Sequence, residues 1–94
     1  MRVLLLNPPG ERVYVRDYFC SKTSKSNYLF HPIDLLMLSG TLAEHHSVTV
    51  LDCMAEHLAP ARARARIDEL APDVVMSLVG AVSWDEDRAF LAAL

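Results

Sequence analysis

Three short segments carry residue types suited to holding a ligand: Asn7-Pro8-Pro9-Gly10, Asp52, and Val79-Gly80-Ala81. The two prolines fix the backbone of the first segment at little entropic cost, and Gly10, with no Cβ, lets a large flat ligand approach the chain. A plain strand-ending turn is the alternative for the same four residues. Val79-Gly80-Ala81 offers a second small-residue surface, suited to a macrocycle or a nucleotide tail, or else forms a tight connection before a capped helix. An acid at Asp52 suits a ribose hydroxyl in a dinucleotide fold, but no Gly-x-Gly-x-x-Gly follows the first apolar run, so capping of its own loop stands beside that role. His45-His46 are metal-ligand types, yet adjacent helical positions diverge by about 100 degrees, and cations near a helix C-terminus are favoured in any case. Both points argue against a metal site. Cys20 has no sequence neighbour that would lower its pKa, as a reactive thiol requires. Tyr14, Tyr18, Phe19, Tyr28 and Phe30 either clamp a flat ligand or pack their loop onto the core. No pattern assigns a catalytic residue.

These segments need a scaffold that brings them together. Val3 to Leu6 is a continuous apolar run, which suits a central parallel strand covered on both faces better than a strand wet on one side. Ser47 to Asp52 and Asp73 to Leu78 read as the second and third strands. Pro32 opens a first helix over 33–44, mostly buried, in which Ser39-Gly40 would let the helix approach the sheet closely. A second helix lies over 61–71 between Pro60 and Pro72, with Ala63, Ile67 and Leu70 inward and with Arg64–Asp68 and Arg66–Glu69 as helix-spaced ion pairs. A third helix follows from Trp84, with Ser83 at its N-cap and Asp85, Glu86 and Asp87 suiting its dipole. Residues 11–30 have no sustained period and read as a long loop, with at most a brief strand at Val13-Tyr14-Val15. Alternating strands and helices give an α/β fold with a parallel sheet. In such sheets ligands bind beyond the carboxyl ends of the strands, where Asn7 to Gly10, Asp52 and Val79 to Ala81 all fall.

Composition bounds the rest. The 94 residues suffice for one domain, and with 52% hydrophobic and 22% charged residues the chain is globular. A formal net charge of -3 gives no general attraction to a phosphate backbone, which argues against nucleic acid. No apolar stretch approaches the roughly 20 residues that span a bilayer, and no small-residue cleavage site follows the N-terminus, so a cytoplasmic protein with reduced thiols is expected. Two cysteines, Cys20 and Cys53, cannot supply the three closely spaced thiolates of a radical iron-sulfur motif.

Taken together, Arg2-Val-Leu-Leu-Leu-Asn-Pro-Pro-Gly10, His31-Pro-Ile-Asp-Leu-Leu-Met-Leu-Ser-Gly-Thr-Leu42, Val48-Thr-Val-Leu-Asp52 and Pro72-Asp-Val-Val-Met-Ser77 resemble the N-terminal cobalamin-binding-type domain of class B radical S-adenosylmethionine enzymes, the group of the anaerobic magnesium-protoporphyrin monomethyl ester cyclase. The resemblance implies a flavodoxin-like sheet of about five strands, of which this chain supplies the first three in spatial order 2-1-3. It also implies a corrinoid at the carboxyl edge, against Asn7, Pro8, Pro9, Gly10, Asp52, Val79, Gly80 and Ala81. A downstream radical domain would carry the [4Fe-4S] cluster, the S-adenosylmethionine and the chemistry, often methyl transfer or ring formation. Cobalamin domains of the methionine synthase type carry Asp-x-His-x-x-Gly after the first strand, with the histidine as lower cobalt ligand. Here that place holds Asn7-Pro8-Pro9-Gly10-Glu11-Arg12, and His31 is the nearest histidine, so no protein imidazole on cobalt is expected. The competing expectation is a non-binding α/β module for domain packing or self-association, because the third strand has no fourth to pair with and presents an apolar edge, Val74 to Leu78, to a second copy.

Overall fold

The computed structural model describes residues 1–12, 14–17, 20–23 and 33–94. Its elements in chain order are β1 (Arg2–Asn7), β2 (Tyr14–Asp17), β3 (Cys20–Thr23), α1 (Ile33–Leu42), β4 (Ser47–Asp52), α2 (Pro60–Leu70), β5 (Val74–Ser77) and α3 (Trp84–Ala92). β1 lies at the centre of a parallel sheet of order β4-β1-β5, with Leu5 opposite Val50 on one side and Met76 on the other. This is the α/β arrangement, spatial order 2-1-3, expected from the sequence. Val3 to Asn7 are all buried, as a continuous apolar run between two covering layers requires. Leu4 and Leu6 pack on one face with Leu51, Cys53, Ala63, Ile67 and Phe90, while Val3 and Leu5 pack on the other with Leu35. Helices α2 and α3 therefore cover one face, and α1 the other.

The first helix differs from expectation. It is rich in apolar residues, but among those whose burial is described only Leu35 is buried and Leu42 is partly so; Leu36 and Leu38 are exposed and Met37 is 70% exposed. A sheet of three strands offers room for one stripe of this helix, not its circumference. Gly40 meets nothing within 4 Å of where a Cβ would stand, so the Ser39-Gly40 pair serves no close approach to the sheet. The Ser39 hydroxyl instead donates to the Leu36 carbonyl at 2.7 Å. The helix ends at Leu42, whose carbonyl accepts from the His45 and His46 amides in the turn that follows.

In α2, Ala63 and Ile67 are buried and Leu70 packs at the core margin, as read from the sequence. Pro60 occupies the first turn, where its missing N–H costs nothing. Ala71 closes the helix at φ 45° and ψ 57°, donating its N–H to the Ile67 carbonyl in the position usually held by glycine. The expected ion pairs within this helix do not form. Arg66 reaches back to Glu56 at 3.3 Å, and Arg64 lies over the Phe90 ring at 5.5 Å, because α2 packs beside α3 and the turn after β4 and both offer better partners than the solvent-facing acids.

The segment expected to be a long loop contains an antiparallel hairpin, with Tyr14 opposite Thr23 and Asp17 opposite Cys20. Tyr18, Phe19, Tyr28, Phe30, His31 and Pro32 lie outside the described residues. Among the described residues no helix is long and apolar enough to cross a membrane.

Candidate functional site at the carboxyl edge

Asn7, Pro8, Pro9 and Gly10 leave β1 at the same edge as Asp52 at the end of β4 and Val79, Gly80 and Ala81 beyond β5. Asn7 pairs with Asp52 in register and donates from Nδ2 to its Oδ1 at 2.9 Å. The same carboxylate oxygen accepts the Ala55 N–H at 3.1 Å, so Asp52 caps the turn that follows its strand. On the far side the Leu78 N–H donates to the Leu6 carbonyl, which carries the β1–β5 ladder up to Val79.

The notch between the ends of β1 and β5 is where the strand order reverses, and so where a ligand is expected. It is filled by the chain's own Arg16, from the hairpin. Arg16 Nη2 and Nε contact the two carboxylate oxygens of Asp87 at 2.6 and 2.9 Å, a bidentate pair with no exposed side-chain surface on either partner. Nη1 donates to Asn7 Oδ1 at 3.1 Å and to the Pro8 carbonyl at 2.7 Å, and Nη2 reaches the Pro9 carbonyl at 3.4 Å. Nε also lies 3.2 Å from Ser83 Oγ. Asp87 in turn accepts the Ser83 hydroxyl at 2.7 Å and the Gly80 N–H at 3.0 Å. One guanidinium thus ties the loop after β1 to the loop after β5 and to α3. Ser83 stands at the N-cap of α3 without a side-chain cap bond, because its hydroxyl points to Asp87 instead.

Tyr14, two residues before Arg16 and so on the same face of β2, makes a second attachment. Its phenol donates to Glu86 Oε1, and the other oxygen of Glu86 accepts the Glu11 N–H at 2.9 Å. That carboxylate, together with burial, pushes the Tyr14 hydroxyl up to about 12. A Cβ on Gly10 would stand 2.5 Å from the Tyr14 ring. The close approach that Gly10 permits is therefore taken by the hairpin, not left open for a ligand.

The edge residues accordingly divide. Asn7, Pro8, Pro9 and Gly80 are buried beneath the hairpin's side chains, Gly10 and Asp52 are half-buried, and Val79 and Ala81 are exposed. Val82 and Trp84, the latter 53% exposed, extend Val79 and Ala81 into an apolar ledge beside β5. Among the described residues, clefts border the edge. The first, about 390 Å³, lies between the 9–11 loop, α2 and α3 over Phe90. A second of about 270 Å³ is lined by Gly10, Cys53, Met54 and His57, and a third of about 300 Å³ by residues 81–86 under the ledge. Each stands at or near the low end of small-molecule pockets, roughly 300 to 1,000 Å³. A macrocycle would lie on this edge and not within it.

Cys53 is fully buried, and burial, reinforced by Asp52 and Glu56, pushes its thiol up to about 12, which leaves it an unreactive core residue. Cys20 opens β3. His45 and His46 stand in the turn after α1, before β4 begins, and so lie at the opposite end of the sheet from the candidate site. Among the described residues no group of three or more His, Cys, Asp or Glu gathers where a metal ion would sit. The sequence reading missed Arg16 altogether and gave Glu86 and Asp87 only a dipole role, while Tyr14, read as a ligand clamp or as loop packing, packs its strand onto the body of the protein. The available signal was the alternation of Tyr14 and Arg16 on one face of a short strand; nothing in spacing links either to the acids of α3. No protein-family model, curated protein or solved structure matches the chain.

Proposed function

We propose that the chain is the ligand-carrying front of a cobalamin-binding domain, holding a corrinoid on the carboxyl edge of the sheet without a protein imidazole on cobalt. The observation that supports it most is the joining of the two loops named from the sequence: Asn7 to Pro9 and Gly80 meet in one hydrogen-bonded network beside an exposed apolar ledge. The chemistry of the lining fits such a group. Val79, Ala81, Val82 and Trp84 offer an uncharged surface to the face of a ring, and the half-buried Asp52 and exposed backbone offer hydrogen-bond partners to amide groups at its margin. A phosphate-led ligand fits less well, because the buried guanidinium is already matched by Asp87. When bound, the corrinoid supplies a cobalt centre for alkyl transfer; the residues of this chain bind and orient it, and the reaction belongs to a following radical domain. Titration of the intact protein with hydroxocobalamin, followed in the corrin absorption bands, tests the reading. Saturable band shifts near one equivalent support it, and unchanged spectra with folded protein overturn it.

A second reading, self-association, rests on β5. Among the described residues this strand pairs only with β1, and its Met76 is 39% exposed beside an equally accessible Val74. Free strand edges of this kind recruit other chains unless blocked. Sedimentation at micromolar concentration checks it: a dimer converted to monomer by Val74→Lys supports the reading, and a strict monomer contradicts it.

A further inference from the structure

We infer that Arg16 is a positioning residue, a clamp whose guanidinium occupies the notch between β1 and β5 and holds the two loops of the carboxyl edge at a fixed spacing. The functional consequence rests on the corrinoid reading above; the clamp itself does not.

The geometry distinguishes a clamp from a lid. A lid that opens in ordinary use is drawn from weakly held structure. Arg16 instead has all three guanidinium nitrogens engaged, with partners on the β1 loop, on Ser83 and on α3, and none of its side chain reaches solvent. Opening would break the bidentate pair and the bonds to Asn7 and Pro8 together. A ligand therefore does not displace the hairpin, and meets the loops only from their outer surface. Because Arg16 and Asp87 match each other internally, neither presents its charge to a ligand there.

The shape of the group matters as much as its charge. A guanidinium is a planar fork that bridges several acceptors in fixed directions, whereas an ammonium is a compact point charge. Arg16→Lys keeps the charge beside Asp87 and loses the bridge from the Pro8 and Pro9 carbonyls to α3. The Gly80 amide, bonded to Asp87, and the Glu11 amide, bonded to Glu86, report on the two loops.

The experiment is amide hydrogen exchange on the intact protein and its Arg16→Lys variant, with hydroxocobalamin titrations of both. Exchange at Glu11 and Gly80 is expected to rise together, on the order of tenfold, while β4 and α2 keep their protection. Corrinoid affinity is expected to fall by a similar factor. A uniform rise over all elements, or loosening of only one loop, overturns the clamp. Looser loops with unchanged corrinoid affinity overturn its role in binding. If the wild-type protein binds no corrinoid, the proposed function fails and the exchange data still decide the clamp. Should Arg16→Lys not fold, Tyr14→Phe serves: it removes the hairpin's attachment to Glu86 and leaves the guanidinium in place. Faster exchange at the Glu11 amide with Gly80 still protected supports the clamp, and loss of protection at Gly80 contradicts it.

Discussion

Arg16 and Asp87 show how far a buried pair depends on both members. Removing one partner leaves an uncompensated buried charge, a cost of about 3 to 5 kcal/mol, whereas replacing both with apolar groups is often close to neutral. Arg16→Met and Asp87→Leu are each expected to lower unfolding free energy by about that amount, and the double variant by much less, as denaturant titrations of the four proteins would measure. Tyr14 and Cys53 make a different contribution. Both have folded-state pKa values raised from near 10 and 9 to about 12. The folded protein then keeps protons that the unfolded chain has lost, so the associated stability is intact below about pH 9 and declines as the pH rises towards 12. Cys53→Ala is expected to remove the part of that decline that begins near pH 9, and Tyr14→Phe the part that begins near pH 10, in unfolding curves taken across this range.

At the level of elements, the strands were legible because the apolar runs at Val3 to Leu6 and Val48 to Leu51 carry both the right length and the right residue types. Helix α2 was legible because strong helix formers lie between two prolines. The hairpin was not, since Tyr14 to Thr23 ends on three polar or charged residues in a row, Ser21 to Thr23, and its stability comes from two side chains anchored some 70 positions later in sequence. The exposure of α1 was equally hidden, because a helix as rich in leucine and methionine as this one reads as buried whatever the width of the sheet beneath it. Leu35→Ala in α1 is expected to cost about 2 to 5 kcal/mol, and Met37→Ala less than about 0.5 kcal/mol, in the same denaturant assay. Ala71 holds a left-handed conformation that disfavours a Cβ. Ala71→Gly is expected to stabilise the protein by about 1 kcal/mol, read as a higher melting midpoint.

For the molecule as a whole, the sheet places Asn7 to Gly10, Asp52 and Val79 to Ala81 at one edge, so the location of the candidate site followed from the order of strands alone. Its surface did not. The notch at the reversal of strand order holds an arginine from a segment with no sequence signature of structure, and that arginine turns a crevice into a platform. Clefts of about 270 to 390 Å³ remain around it, with an apolar ledge of Val79, Ala81, Val82 and Trp84 beside β5. The most direct measurement is hydroxocobalamin titration of the intact protein beside an Ala81→Glu variant, which puts a charge on the ledge and leaves the Arg16 network untouched. Saturable shifts of the corrin bands near one equivalent, weakened by roughly tenfold or more in the variant, are the expected result. Unchanged bands with the folded wild-type protein, or equal binding by both proteins, would contradict a corrinoid seated on this edge.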